Sequence, residues 1–243
     1  MPPGWRDTTV NVDTVMLSKV APTGLVEWGV VLSALVFGVS VPLLLFDPTT
    51  LFSYHPSAMA LSFGVLMPLG GFVAVKTRLL KGTDRLASIW LHSGLQTFAV
   101  ACSFGGFVAI WVNKNIQGKS HFVTTHAQLG VLSVVLTIAA LLLGALNFQR
   151  LGLLRLVPEE YRSTIKWAHR RSGAVAAGTA ALCILTAIDH PAVETQAGFG
   201  VRSLWKLAVV GVGVGLVRMG MHTSQGAPNE KTNGVELGKY SKA

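Results

Sequence analysis

Four histidines of this 243-residue chain stand inside otherwise apolar runs: His55 in LFSYHPSAMALSFG, His92 in WLHSGLQ, His126 in THAQLGVL and His169 in KWAHRRSG. An ionisable ring is costly in such surroundings and marks a functional site once its partner can be named. Neutral imidazole is also the commonest nitrogen ligand for a metal. Two imidazoles facing each other from separate elements supply the two axial nitrogens of a six-coordinate haem iron. Four such rings allow two irons, provided that the elements carrying them bring them together in twos.

Those elements follow from composition. The chain is 51% hydrophobic and 13% charged, with a mean hydropathy of +0.52; soluble domains carry about 25% charged residues. Spanning the hydrocarbon of a bilayer takes about 20 apolar residues. Six runs qualify: Leu25–Phe46, Leu51–Val75, Leu86–Val112, Phe122–Phe148, Ile165–Ile188 and Leu204–Gly220. Lys206 and Arg218, near the ends of the last run, can snorkel. The first run is too long for a cleaved signal peptide and is expected to remain as a membrane helix. Isolated strands cannot satisfy their backbone in lipid, so the expected fold is all-α, a six-transmembrane-helix bundle. Its expected divisions are a tail over 1–24, the bundle over 25–221 and a second tail over 222–243. Cys102 and Cys183 both fall inside spans, which argues against a disulfide framework or a zinc site.

The formal charge of +9 is distributed unevenly. Lys76, Arg78, Lys81, Arg85, Arg150, Arg155, Arg162, Lys166, Arg170 and Arg171 all fall on one side of the six spans. The other side has little beyond Lys114, Lys119 and Arg202. This positive-inside pattern makes an integral, multi-pass protein with both termini cytoplasmic, and it accounts for the charge without nucleic acid. The basic face also suits anionic head groups or a small anionic substrate.

Helix starts set the depth of each histidine. Asp47-Pro48 reads as a cap and first residue of the second helix. Thr83 or Asp84 reads as a cap of the third, Gly118 to Ser120 precede the fourth, and Pro158-Glu159-Glu160 opens the fifth with acids at its positive end. From these starts each histidine lies about 10–15 Å along its axis. Because helices alternate in direction, His55 pairs with His126 at one level, and His92 with His169 at the other. Gly130 and Gly173, each four residues after a histidine, leave room for a flat macrocycle, with Ala176, Ala177 and Ala180 extending the small face. His121 sits where it could touch a substrate. His190 and His222, at helix ends, read as solvated. The GVGVG of Gly211 to Gly215 lies inside an apolar span and reads as helix packing, not a nucleotide loop. No Cys-x-x-Cys-His is present, which excludes covalent c-type haem.

At these residues the sequence resembles the cytochrome b561 family of di-haem transmembrane reductases, closest to its short b561 domain-containing branch. The likeness runs from about Val30 to Gly220 and is carried by LFSYHPSAMALSFGVLM, WLHSGLQ, KSHFVTTHAQLGVL and KWAHRRSG. It implies two haem b, one held by the second and fourth helices and one by the third and fifth. It also implies electron transfer from cytoplasmic ascorbate to monodehydroascorbate or ferric complexes. Many members place lysines just before the third-helix histidine, whereas here KGTDRLASIWLH has apolar neighbours at His92. Lys81 and Arg85, with Lys166 and Arg170, could instead serve an anionic donor or the haem propionates. Two other functions fit the same spans: an electron-conduit subunit of a larger complex exchanging with quinone, and a haem-free structural or transport subunit using its histidines for protons. Association as a homodimer or within a membrane complex is compatible with all three.

Overall fold

The computed structural model describes residues 18–148 and 151–225, with side chains as far as residue 222. Most of both expected tails, and Arg150, lie outside the described residues. Six helices long and apolar enough to cross a membrane follow one another: α1 (Leu25–Leu45), α2 (Leu51–Lys76), α3 (Gly82–Ile116), α4 (Thr125–Asn147), α5 (Glu159–Ile188) and α6 (Phe199–Gln225). The chain is a multi-pass integral membrane protein of helices, and no strand occurs among the described residues.

Local chemistry explains the helix ends. The Thr124 hydroxyl accepts from Ala127 N–H at 3.2 Å and caps α4. Pro158 precedes α5, with Glu159 and Glu160 in its first turn. Two expected starts are corrected. Asp47-Pro48 does not open α2; Asp47 instead forms a turn, accepting the N–H and hydroxyl of Thr49 at 2.9 and 2.6 Å, and the helix begins at Leu51. The Thr49 hydroxyl and then its N–H hold the Asp47 carboxyl below the usual carboxylate range. In α3 the residue before the helix is Lys81, and Gly82 adopts φ +59°, a value that favours glycine. Asp84, freed from capping, pairs with Lys19.

Four packed pairs make the bundle: α2 with α3, α4 with α5, α1 with α2, and α1 with α6. Lipid offers no hydrophobic drive between helices, so contact depends on close approach at small residues. A Cβ on Gly38 would lie 1.9 Å from a Val65 methyl, and one on Gly215 2.3 Å from a Val30 methyl. Gly211 sits against Ser33 in the same way, so the GVGVG stretch is a packing face toward α1. Packing directly between α2 and α4, or between α3 and α5, is sparse. The two hairpins α2–α3 and α4–α5 face each other across a core of Phe63, Met67, Ala99, Val134 and Ala180.

The crowding at Gly38 is testable. Gly38→Ala is expected to lower stability by about 1–3 kcal/mol, the usual cost of overpacking. Adding Val65→Ala removes the obstructing methyls and should recover most of the loss. Thermal unfolding in detergent of the two variants and the double variant reads this directly.

Candidate functional site

The histidines meet in twos across the gap between the hairpins. The ring centres of His55 and His126 lie 6.1 Å apart with planes at 78°. Those of His92 and His169 lie 6.2 Å apart at 80°. Each ring is anchored by a carbonyl of its own hairpin partner. His55 Nδ1 bonds to Gly106 O at 3.0 Å and His92 Nδ1 to Gly70 O at 2.8 Å, a reciprocal exchange between α2 and α3. His126 Nδ1 bonds to Cys183 O at 3.1 Å and His169 Nδ1 to Ala140 O at 2.9 Å, the same exchange between α4 and α5. A carbonyl can only accept, so Nδ1 must carry the proton. A neutral ring then keeps its lone pair on Nε2, the ligand tautomer.

The register behind this pattern is regular. In α3, α4 and α5 the carbonyl acceptor lies fourteen residues after the helix's own histidine: His92 to Gly106, His126 to Ala140, His169 to Cys183. In α2 the interval, His55 to Gly70, is fifteen. The segment Ala60–Leu66 between them is π-helical, a form that absorbs an extra residue within an α-helix. Fourteen residues make nearly four turns, so ring and carbonyl share one side of the helix about 21 Å apart. The buried Ser62 hydroxyl holds the π segment to α3 by donating to Ala99 O at 2.6 Å. Glycines stand where the two helices of each hairpin come closest. A Cβ on Gly70 would lie 2.6 Å from Gln96, and one on Gly106 3.1 Å from Ala58. One on Gly144 would lie 3.0 Å from the His169 ring.

The His55–His126 pair opens on a cavity of about 670 Å³. Phe37, Phe63, Val134 and Trp205 are among its apolar walls, while Lys114, Lys119, His121 and His190 stand among its polar residues. No carboxylate is among the described residues that line it. Such a space suits a flat apolar body with anionic substituents. Each pair offers two nitrogens, and among the described residues no group of three or more His, Cys, Asp or Glu is arranged to hold a metal ion by itself. A metal arriving with four donors of its own matches that set. Two metal–nitrogen bonds of about 2 Å, with about 1 Å more to each ring centre, span about 6 Å. The donor chemistry and spacing therefore fit haem.

The remaining expected site residues are placed as follows. His121 lines the cavity, stacks on Trp111 at 3.9 Å, and its Nε2 donates to Asn115 Oδ1 at 2.8 Å. Lys81 is exposed just before α3. Arg85 Nη1 donates to Thr77 O at 3.2 Å, closing the end of α2. Lys166 and Arg170 are exposed on α5, with Arg170 Nε donating to Lys166 O. Among the described residues no hydrogen bond or ion pair joins Lys81 or Arg85 to Lys166 or Arg170. Gly130 lines the cavity, and Gly173 has open space where a Cβ would stand. His190 was legible only as a helix-end residue, yet it reaches the cavity while its Nδ1 accepts from Ala192 N–H. Cys183, which periodicity alone leaves as apolar filler, touches His126, and the fourteen-residue interval from His169 is the signal that finds it.

Fold and site together define a membrane-spanning helical bundle with two facing-imidazole centres, one toward each end. The chain belongs to the eukaryotic cytochrome b561 family, whose model matches residues 54–194 and so takes in all four histidines. Membership implies b-type haem. It is 35% identical over 105 residues to the transmembrane reductase CYB561D2 of Homo sapiens, covering 43% of this chain and 47% of that protein. To the CYB561D2 of Mus musculus it is 31% identical over 147 residues, 59% of this chain and 64% of the relative. The probable transmembrane reductase CYB561D1 of Mus musculus is 33% identical over 107 residues, 44% and 47% of the two chains. The matches thus span less than two thirds of these relatives' own length.

The register argument predicts an asymmetry between deletions. Leu61 lies in the π segment and is 43% exposed; deleting it should leave a regular α-helix with both α2–α3 anchors intact and stability little changed. Deleting Phe98 from the regular part of α3 turns His92 about 100° relative to Gly106. One anchor must then fail, at about 1–3 kcal/mol for a buried group left unpaired. Thermal unfolding of the two deletion variants in detergent compares them.

Proposed function

We propose that the chain carries electrons across a membrane, from ascorbate at the basic end to monodehydroascorbate or a ferric complex at the opposite end, using two haem b. The observation that carries this reading is the two pairs of facing imidazoles, each ring with Nδ1–H committed to a carbonyl and the Nε2 lone pair left free for a metal. His55 and His126 would hold one haem, His92 and His169 the other. A haem iron with two imidazole ligands supplies one-electron uptake and release and keeps no position open for oxygen.

The chain's own residues do the rest. The carbonyls of Gly70, Gly106, Ala140 and Cys183 orient the rings before any ligand arrives. Phe63, Met67, Ala99, Val134 and Ala180 keep the space between the two levels dry. At the basic end Lys81 and Arg85, with Lys166 and Arg170, would draw an anionic donor or hold propionates. Lys81 is the freer of the first two, because Arg85 already donates to Thr77 O. At the opposite end His121 would meet the acceptor, its ring steadied by Trp111 and Asn115. Both termini would be cytoplasmic on the positive-inside distribution, with tails over 1–24 and 222–243 flanking a bundle over 25–221.

His169→Ala should leave purified protein with one haem in place of two, its reduced b-type spectrum halved. Loss of both, or retention of both, would contradict the assignment. The Lys81→Ala, Arg85→Ala double variant should slow reduction by ascorbate by roughly tenfold, the low end of electrostatic steering, and flatten its salt dependence. His121→Ala should slow reoxidation by the acceptor with both haems still bound. Stopped-flow absorbance measures each rate.

A further inference from the structure

We infer that Cys183 and Thr186 set the electron affinity of the His55–His126 centre and so distinguish it from the His92–His169 centre. The inference rests on the haem reading above. The two centres match in ring separation, in interplanar angle and in having one carbonyl anchor per ring. For His55, His92 and His169 the anchoring carbonyl receives no second side chain among the described residues. His126 differs. Its acceptor, Cys183 O, also takes the Thr186 hydroxyl at 2.7 Å, and its bond, at 3.1 Å, is the longest of the four. The Cys183 Sγ then stands 3.3 Å from the same Nδ1 and donates to His126 O at 3.4 Å. The His126 N–H is therefore shared between a carbonyl that is partly spoken for and a weakly accepting sulfur.

The electronic consequence has a sign. A stronger acceptor on Nδ1–H makes the ring more basic at Nε2, favours ferric over ferrous iron and lowers the reduction potential. Cys183 sulfur adds acceptance and acts downward. The Thr186 hydroxyl draws on the carbonyl and acts upward. Both work through His126 as positioning residues, in opposite directions, on one centre only.

Potentiometric titration of the purified, haem-loaded full chain, followed optically and by electron paramagnetic resonance, tests this. Haem content of the wild type is measured first; fewer than two haems would overturn the functional reading itself, separately from this inference. With two bound, Cys183→Ala should raise the midpoint potential of one haem, and Thr186→Val should lower that of the same haem. The resonance signal of that haem alone should move, with the other haem unchanged in both readouts. Should Cys183→Ala fail to fold, Thr186→Val alone decides. Unmoved potentials, equal shifts of both haems, or shifts of the same sign in the two variants would overturn the inference.

Discussion

A carbonyl oxygen inside an α-helix gives one lone pair to its own helix and has a second to offer. Four such oxygens, at Gly70, Gly106, Ala140 and Cys183, spend that second lone pair on a histidine of the neighbouring helix. In a membrane interior no water competes for the ring N–H, so this bond fixes both the tautomer and the direction of each imidazole. The exchange is reciprocal within each hairpin, and it turns every ring toward the other hairpin. Two features of the site follow: the facing pairs and the free Nε2 atoms.

The rest of the bundle serves that exchange. Gly70 and Gly106 stand at the close approach of α2 to α3, where an added Cβ would press on the Gln96 side chain and on Ala58. The fifteen-residue interval in α2 is tolerated because a π segment absorbs the surplus, pinned by Ser62 to Ala99. Helices α1 and α6 contribute no paired imidazole; α6 packs on α1 through Gly211 and Gly215, with the Trp205 indole N–H donating to Ser40 Oγ at 2.7 Å, and α1 meets α2 at Gly38. At the end nearer His55 and His126, Arg202 pairs with Asp189 and Glu194, and Lys206 with Asp189, bracing the loop between α5 and α6.

The six spans are legible in the sequence because lipid leaves a helix as the only way to satisfy an isolated segment. Alternating helix direction likewise groups His55 with His126, and His92 with His169. The depths behind that grouping were less legible. His92 and His169 each lie ten residues past the start of their helices, but His55 lies four past Leu51 and His126 one past Thr125. Helix α3, at 35 residues, is longer than a bilayer core requires, so a helix start is a poor marker of the membrane surface. Asp47-Pro48 misled because an Asx-type turn uses the same residues as a cap. Cys183 and His190 carry no signal in hydropathy; their nearness to the His55–His126 centre depends on helix phase and on the loop after α5.

The near-perpendicular ring planes, 78° and 80°, give the most direct test of the account. Low-temperature electron paramagnetic resonance of the oxidised, haem-loaded protein reads the angle between axial imidazoles. The account predicts two low-spin ferric signals, both of the highly anisotropic type that crossed imidazole planes produce. High-spin iron, a single centre, or rhombic signals from parallel planes would contradict it.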